Sequence, residues 1–195
     1  MNSFYSFAPQ KSRKILQCWI DTLNLNVKVV NPRRTKLGDF KFISRQMNIT
    51  INNNLNKYSF LITLTHEIAH AFVCKKYRHR VKPHCKIWQL TFKTLMLNFL
   101  TPDYFPEDIL KVLSHHMISP KASTYSDLEL IKVLKKYDDV KSLTLSDLAI
   151  GEVFRIANGK IFSKSSRIRK RYKCVECRTN KIYLFHPFAE VMKVK

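Results

Sequence analysis

The chain of 195 residues is long enough for one ordinary domain with a small appendage. Its 45% hydrophobic residues can form a buried core, which excludes a wholly disordered protein. It has 35 Lys and Arg residues against 14 Asp and Glu residues, a net charge of +21, and nucleic acid is the commonest partner of so basic a protein. Five irregularly spaced cysteines are typical of a reduced intracellular protein and not of a secreted disulfide framework.

The predicted order along the chain is one helix, three strands, four helices and a final β-rich part. Apolar residues at helical spacing predict helices over residues 10–24, 57–77, 84–98, 105–116 and 127–137. Short alternating or apolar runs predict strands over residues 27–30, 40–44 and 47–51, with further β-structure after Gly151. We therefore expect an α+β fold with a small β-rich end.

Basic residues are concentrated in two parts of the sequence. Residues 1–100 contain 17 basic and three acidic residues. Residues 101–150 contain six basic and eight acidic residues, and residues 151–195 contain twelve basic and three acidic residues. This predicts a main domain over residues 1–145 and a small basic module over residues 146–195. No apolar segment has the length of a signal peptide core or a membrane span, so we expect a cytoplasmic protein with no membrane attachment.

The sequence His66-Glu67-Ile68-Ala69-His70 lies inside the long predicted helix. Two histidines four residues apart project from one face of a helix, so both can bind the same tetrahedral zinc. A carboxylate at Glu67 can serve as the general base that takes a proton from zinc-bound water. Glu67 is also the only acidic residue between Asp39 and Asp103, which argues against an ordinary surface charge.

A catalytic zinc usually has three protein ligands and an open fourth position. The chain has no acidic residue between positions 68 and 102, so histidine is the favoured type of third ligand. We prefer His84, because it follows Pro83 and opens the next predicted helix. The alternatives that the sequence leaves open are His79, His115, His116 and Cys85.

Two runs resemble the SprT-like zinc metallopeptidases, whose relatives include the Spartan proteases that degrade DNA–protein crosslinks. These runs are Leu64–Ala71, LTHEIAHA, and Lys82–Trp88, KPHCKIW. The family pattern is HExxH, a loop, and a histidine followed four residues later by an aromatic, as His84 and Trp88 are here. The resemblance is strongest over residues 10–100 and implies a zincin-like core, peptidase activity and a bacterial-type member. Cys85 stands where the family commonly has glycine.

The C-terminal module contains Cys174 and Cys177, which are spaced like half of a zinc ribbon. No second cysteine pair follows, and His186 is the only later candidate ligand. We therefore expect either a second, structural zinc at this pair or a degenerate remnant of such a site.

Two basic clusters are predicted to bind nucleic acid, single-stranded or duplex, without sequence preference. The first lies between the proposed zinc ligands and consists of Lys75, Lys76, Arg78, Arg80, Lys82 and Lys86. The second lies in the C-terminal module and consists of Lys164, Arg167, Arg169, Lys170, Arg171 and Lys173. Phe162 and Tyr172 lie within the second cluster and could stack on unpaired bases.

Two main functions follow from these features, and a third possibility is an ordinary peptidase whose basic surface serves acidic substrates. The leading hypothesis is a zinc metalloendopeptidase acting on proteins at or near DNA, with the strand at Ile49–Ile51 pairing with an extended substrate. Crosslinked protein as the substrate is implied by the resemblance alone. The alternative is a non-catalytic, zinc-stabilised nucleic-acid-binding protein, and Glu67 distinguishes the two because a structural site needs no carboxylate between its histidines.

Overall fold

The computed structural model describes residues 3–33, 35–78, 81–121, 123 and 127–194. Within them the chain has five α-helices and two small β-sheets, so the predicted α+β class is confirmed. Contacts divide the chain into two compact units, Met1–Asp139 and Val140–Lys195. This division falls a few residues before the predicted boundary at residue 145, because Leu145 is fully buried in the core of the second unit.

The first unit contains three strands and the five helices. The strands are β1 (Leu25–Val30), β2 (Gly38–Ile43) and β3 (Gln46–Asn52). The helices are α1 (Arg13–Leu23), α2 (Lys57–Tyr77), α3 (Lys86–Leu97), α4 (Glu107–Ile118) and α5 (Leu128–Lys135). All eight elements were predicted from periodicity, with ends that differ by a few residues.

The three-stranded sheet has the order β1-β3-β2. Strand β3 runs parallel to β1 and antiparallel to β2, with Ile49 opposite both Val27 and Phe40. Ser44 and Arg45 join β2 to β3 with positive φ angles of 50° and 62°, as a two-residue hairpin turn requires. The prediction that Ile49–Ile51 is an edge strand able to pair with a substrate is therefore wrong, because β3 is the central strand and β2 is at the edge.

Helix α2 crosses the middle of the first unit. The Asn56 side chain caps its first turn by accepting hydrogen bonds from the backbone N–H groups of Tyr58 and Ser59. From Phe60 to Ala69 every residue is buried, so this stretch packs on all sides and not along one face. Its position inside the core fixes the histidines and the glutamate that it contains.

The second unit is a five-stranded antiparallel sheet of order β7-β6-β5-β4-β8. Its strands are β4 (Val153–Arg155), β5 (Ile161–Ile168), β6 (Arg171–Glu176), β7 (Ile182–Phe185) and β8 (Met192–Lys193). Strand β6 was not predicted, because its inward positions include the buried carboxylate of Glu176 and its first residues are basic. The small core consists of Leu145, Leu148, Phe154, Phe162, Cys174 and Val191.

None of the helices in the described ranges is long and apolar enough to cross a lipid bilayer.

Candidate metal centre

The α2 helix brings His66 and His70 to one face, one turn apart. Their Nε2 atoms are 3.3 Å from each other. His66 is buried and His70 is half-buried, because α2 lies inside the core while this face borders an open cleft. The predicted i, i+4 pair is therefore present, with both ring nitrogens turned to the same point.

His84 completes the cluster from the loop between α2 and α3. Its Nε2 atom lies 3.2 Å from Nε2 of His66 and 3.0 Å from Nε2 of His70. The residue has a φ of 57°, in the left-handed region that costs a non-glycine residue about 1 kcal/mol or more. It lies two residues before the first residue of α3, so the loop and not the helix orients the imidazole.

The three ring nitrogens fit one metal ion. At metal–nitrogen distances of about 2.0–2.1 Å, tetrahedral geometry puts two ligand nitrogens about 3.3–3.4 Å apart, close to the separations seen here. Within the described ranges, this is the one group of three or more metal-ligating side chains. His66, His70 and His84 could therefore hold a metal, as the sequence predicted.

The surroundings keep these imidazoles neutral, as metal ligands must be. Burial, followed by the neighbouring His70 and His84, lowers the pKa of His66 to about 2. Burial and His84 lower the pKa of His70 to about 4, and burial also lowers the pKa of His84. At neutral pH each ring can offer a nitrogen lone pair to a cation.

Trp88 forms the wall behind the cluster. Its ring centroid lies 4.5 Å from that of His66, 5.1 Å from that of His70 and 4.7 Å from that of His84. The indole is fully buried, and its Nε1 atom has no hydrogen-bond partner among the described residues. From the sequence, Trp88 was known only as the aromatic residue four positions after His84. Its contact with all three histidines depends on the turn at His84.

Glu67 lies under strand β2, on the side of α2 that borders the cleft. Its residue exposure is 7%, and the backbone N–H of Phe40 donates a hydrogen bond to its carboxylate. Burial, followed by the Asp39 carboxylate, raises the pKa of Glu67 to about 8, and the bond from Phe40 acts in the opposite direction. The carboxyl is thus held in one place, and its raised pKa favours the protonated form while no metal ion is bound.

Gly38 permits the close approach of β2 to this carboxyl. A Cβ atom at position 38 would lie 2.7 Å from Glu67 Oε1, 2.8 Å from Glu67 Cγ and 2.8 Å from Thr63 Cγ2. Real Cβ atoms do not approach other atoms so closely. The packing of β2 on α2 therefore leaves no room for a side chain at position 38.

The histidines and Glu67 border one cleft of about 600 Å³. Strand β2 forms one wall, and the loop before α3 forms the other. The cations Lys36, Arg78 and Lys82 line it together with the acid Asp39, which pairs with Lys36 at 2.8 Å. Two members of the first predicted basic cluster, Arg78 and Lys82, therefore line the same cleft as the three histidines.

The other predicted zinc ligands do not join the cluster. His116 is buried on α4 and its Nδ1 lies 2.8 Å from Asp127 Oδ2, while His115 is exposed. Cys85 is half-buried beside His84 and belongs to no ligand group in the described chain. His79 lies outside the described residues, as does the predicted phosphate contact Arg80.

The remaining residues of the first basic cluster are exposed on α2 and α3. Lys75 donates a hydrogen bond to the Thr22 carbonyl, and the Lys76 ammonium lies over the Tyr77 ring. Lys86 is the first residue of α3. These positions leave all three side chains open to solvent and to an anionic partner.

The second basic cluster requires two corrections. Lys164 is 3% exposed and donates hydrogen bonds to the carbonyls of Leu145 and Leu148, so it supports the module from within and cannot reach phosphate. Phe162 is 1% exposed and belongs to the core, so it cannot stack on a base. The Lys164 ammonium also lies over the Tyr172 ring, at 4.1 Å from its centroid.

The rest of the second cluster lies on the β5–β6 hairpin. Arg167, Arg169, Lys170 and Arg171 are exposed around its turn, and Lys173 is half-exposed on β6. Cys174 is buried in the core of the second unit while Cys177 is exposed, and neither joins a group of three described metal ligands. The cysteine pair therefore lacks the further ligands that a structural zinc requires.

Comparison of the chain with protein-family models, curated proteins and solved structures finds no match in any of the three.

Proposed function

We propose that this protein is a zinc-dependent metalloendopeptidase acting on proteins at or near DNA, with a zincin-like core in its first unit. The convergence of three histidine nitrogens and one buried carboxylate in a single open cleft is the observation that supports it most. A purely structural metal site is usually closed by four protein ligands, whereas three ligands beside a cleft leave room for a substrate.

The residues of the cleft suit the separate tasks of peptide hydrolysis. His66, His70 and His84 would hold the metal, and zinc, when bound, supplies a Lewis acid that polarises a carbonyl and lowers the pKa of water. The Glu67 carboxylate would accept the proton from the attacking water and return it to the leaving amine. A cation at the histidines favours the ionised form of this nearby carboxyl, which opposes the effect of its burial.

Strand β2 is the element that would align the substrate. Edge strands can take up an extended peptide by main-chain hydrogen bonds, and β2 is at the edge of its sheet while forming a wall of the cleft. An extended segment placed along β2 would pass the histidines and Glu67. This assigns to β2 the role that the sequence had assigned to Ile49–Ile51.

Association with DNA is supported by charge alone. The first unit has 22 basic and 10 acidic residues, and the second has 13 and four. Arg78 and Lys82 are at the cleft, and four further cations surround the β5–β6 turn. Basic side chains of this kind bind the phosphate backbone whatever its sequence.

The test compares zinc content and proteolysis of a DNA-bound protein substrate. Glu67→Gln should keep its zinc and lose activity by several orders of magnitude, because an amide cannot accept the proton. His84→Ala should lose both zinc affinity and activity, and His115→Ala, an exposed histidine outside the cluster, should lose neither. Full activity of Glu67→Gln would contradict the proposed mechanism. Zinc binding by the parent chain that His84→Ala loses, with no proteolysis by the parent, would favour the non-catalytic alternative.

A further inference from the structure

A second groove lies between helices α2 and α3, apart from the metal cleft. Its volume is about 680 Å³ and its lining consists only of residues from the end of α2 and from α3. The floor is apolar, with Phe72, Tyr77, Ile87 and Leu95 among its residues. Leu90 stands at its side with 65% of its surface exposed, so a bound partner could cover it.

The groove also has a basic rim. Lys75 and Lys76 line it, and both are exposed. One hydrogen bond from Lys75 to the Thr22 carbonyl uses only one of three donors, and Lys76 lies over the Tyr77 ring, 5.3 Å from its centroid. No acidic residue occurs between positions 68 and 102, so neither groove wall has an acid to neutralise these lysines.

The apolar floor and the basic rim indicate the chemistry of the segment that the groove can bind. An apolar floor with a cationic rim is complementary to a segment that is apolar on one face and acidic on the other. The backbone groups of α2 and α3 are used within the helices, so the groove offers no strand edge with which an extended peptide could pair. A partner that satisfies its own backbone hydrogen bonds, a helix, fits such a groove best.

We propose that the α2–α3 groove binds an acidic amphipathic helix of a partner protein. The apolar face of that helix lies on Phe72, Ile87 and Leu90, and its carboxylates face Lys75 and Lys76. Duplex DNA is disfavoured because the floor has no phosphate-binding groups, and a flat lipid bilayer is disfavoured because the surface is concave. The proposal is independent of the peptidase activity.

The probe is a fluorescein-labelled 18-residue helical peptide with leucines along one face and glutamates on the others, titrated with the full chain and followed by fluorescence anisotropy. Leu90→Ser should weaken binding about tenfold or more, because it removes a leucine that binding buries. Lys76→Ser should weaken binding several-fold and reduce its dependence on salt.

The chain offers a matched control for each variant. Leu97 is on the same helix as Leu90 and is equally exposed, at 66%, but does not line the groove. Lys57 is exposed on the same helix as Lys76 and its ammonium likewise lies over the ring of the next tyrosine, at 5.0 Å. Leu97→Ser and Lys57→Ser should change peptide affinity less than twofold, and circular dichroism checks that all four variants are folded.

The proposal is overturned if Leu90→Ser binds the peptide as tightly as the parent chain, or if Leu97→Ser and Lys57→Ser weaken binding as much as their counterparts. It is also overturned if a peptide of the same composition, with its leucines scattered around the helix, binds equally well. Anionic vesicles and a duplex oligonucleotide serve as two further titrants. Loss of vesicle or oligonucleotide binding in Leu90→Ser, without loss of peptide binding, would assign the groove to that other ligand.

Discussion

At the scale of single residues, the site combines buried bases with one buried acid. His66 and His70 are held neutral by burial, and Glu67 is held close to neutrality by burial and by Asp39. Without a cation these groups respond to pH in opposite directions. The free energy of unfolding of the metal-free protein should therefore change with pH as these groups titrate.

The first prediction concerns acid stability without metal. His70 has a pKa of about 4 in the folded protein and about 6.5 in the unfolded chain, so between these values only the unfolded chain binds the proton. The stabilisation present above pH 6.5 is then lost as the pH falls towards 4, on the order of 2–3 kcal/mol. We expect urea midpoints of the metal-free protein to fall more steeply from pH 7 to 4.5 than those of His70→Gln.

The measurement should be made in a Glu67→Gln background. The Glu67 pKa of about 8 means that the folded protein keeps a proton that the unfolded chain loses, so this residue contributes stability that disappears as the pH rises from 4.5 to 8. The change of stability with pH that Glu67 causes would partly cancel the change that His70 causes. Equal slopes with and without His70 would show that burial does not hold the imidazole neutral.

The second prediction concerns Gly38. Alanine at this position forces β2 away from α2 or displaces the Glu67 carboxylate, so we expect a loss of about 1–3 kcal/mol in stability and a drop in proteolysis with zinc content unchanged. Gly151→Ala is the control, because its φ of 87° makes alanine strained while no atom lies within 4 Å of the added Cβ. If both variants lose stability but neither loses activity, Gly38 has no role in placing Glu67.

At the scale of helices and strands, the metal cluster depends on the packing of α3 against α2. His66 and His70 are placed by α2, whereas His84 lies on a loop and reaches them because Trp88, four residues later, packs against all three rings. Phe92 extends the stack, with its ring centroid 5.2 Å from that of Trp88 and 5.4 Å from that of His66. The arrangement of the three histidines therefore depends on both helices, and we expect metal affinity to depend on both.

The third prediction concerns that stack. Trp88→Ala should cost about 3–5 kcal/mol of stability, because it leaves a large cavity in the core. Trp88→Phe should retain most of the packing and also remove the unpaired indole N–H. We expect zinc affinity, measured by calorimetry at a temperature where both variants are folded, to fall strongly in Trp88→Ala and only slightly in Trp88→Phe. Equal affinities in both variants would exclude a positioning role for this ring.

At the scale of the whole molecule, the chain consists of two units that are both basic. The metal-binding histidines lie in the first unit, and the exposed β5–β6 turn lies in the second. Because each unit has its own hydrophobic core, changes at the turn should leave the metal site intact. If both proposals hold, mutations should separate DNA binding from metal binding.

The fourth prediction uses this separation. Replacing the four exposed cations of the hairpin with serine should weaken DNA binding and lower the log–log salt slope by up to about 0.9 for each lost phosphate contact, with zinc content unchanged. The four cations are Arg167, Arg169, Lys170 and Arg171. Binding titrations at several salt concentrations on duplex and single-stranded oligonucleotides measure the effect. With Phe162 buried, we expect no additional affinity for single strands.

The control carries the same change in net charge in the first unit. It replaces four exposed lysines away from the metal cleft, Lys14, Lys28, Lys57 and Lys111, with serine. A hairpin that binds phosphate directly should affect DNA affinity more than this control does. An equal loss in both would mean that only total charge attracts DNA, and the hairpin would have no special role.

Local patterns in the sequence were sufficient for the helices and strands of the first unit and for part of the site. Helical spacing located α2 and placed His66, Glu67 and His70, because the period of a helix determines which residues share a face. The same reasoning found the three strands of the first sheet. The absence of nearby acidic residues favoured a histidine as the third candidate ligand. His84 was preferred because it was expected to open a helix, whereas the structure places it on the loop before α3.

Tertiary structure alone decided which strand is at the edge, which cations are exposed and what surrounds the site. Strand order depends on pairing between distant segments, and so β3 is central although its alternation is also typical of an edge strand. The second unit has a small core, and Lys164 and Phe162 are needed inside it, although a run of basic residues suggested an open surface. Gly38, Phe40 and Trp88 act on the site through space, and no spacing along the chain encodes such contacts.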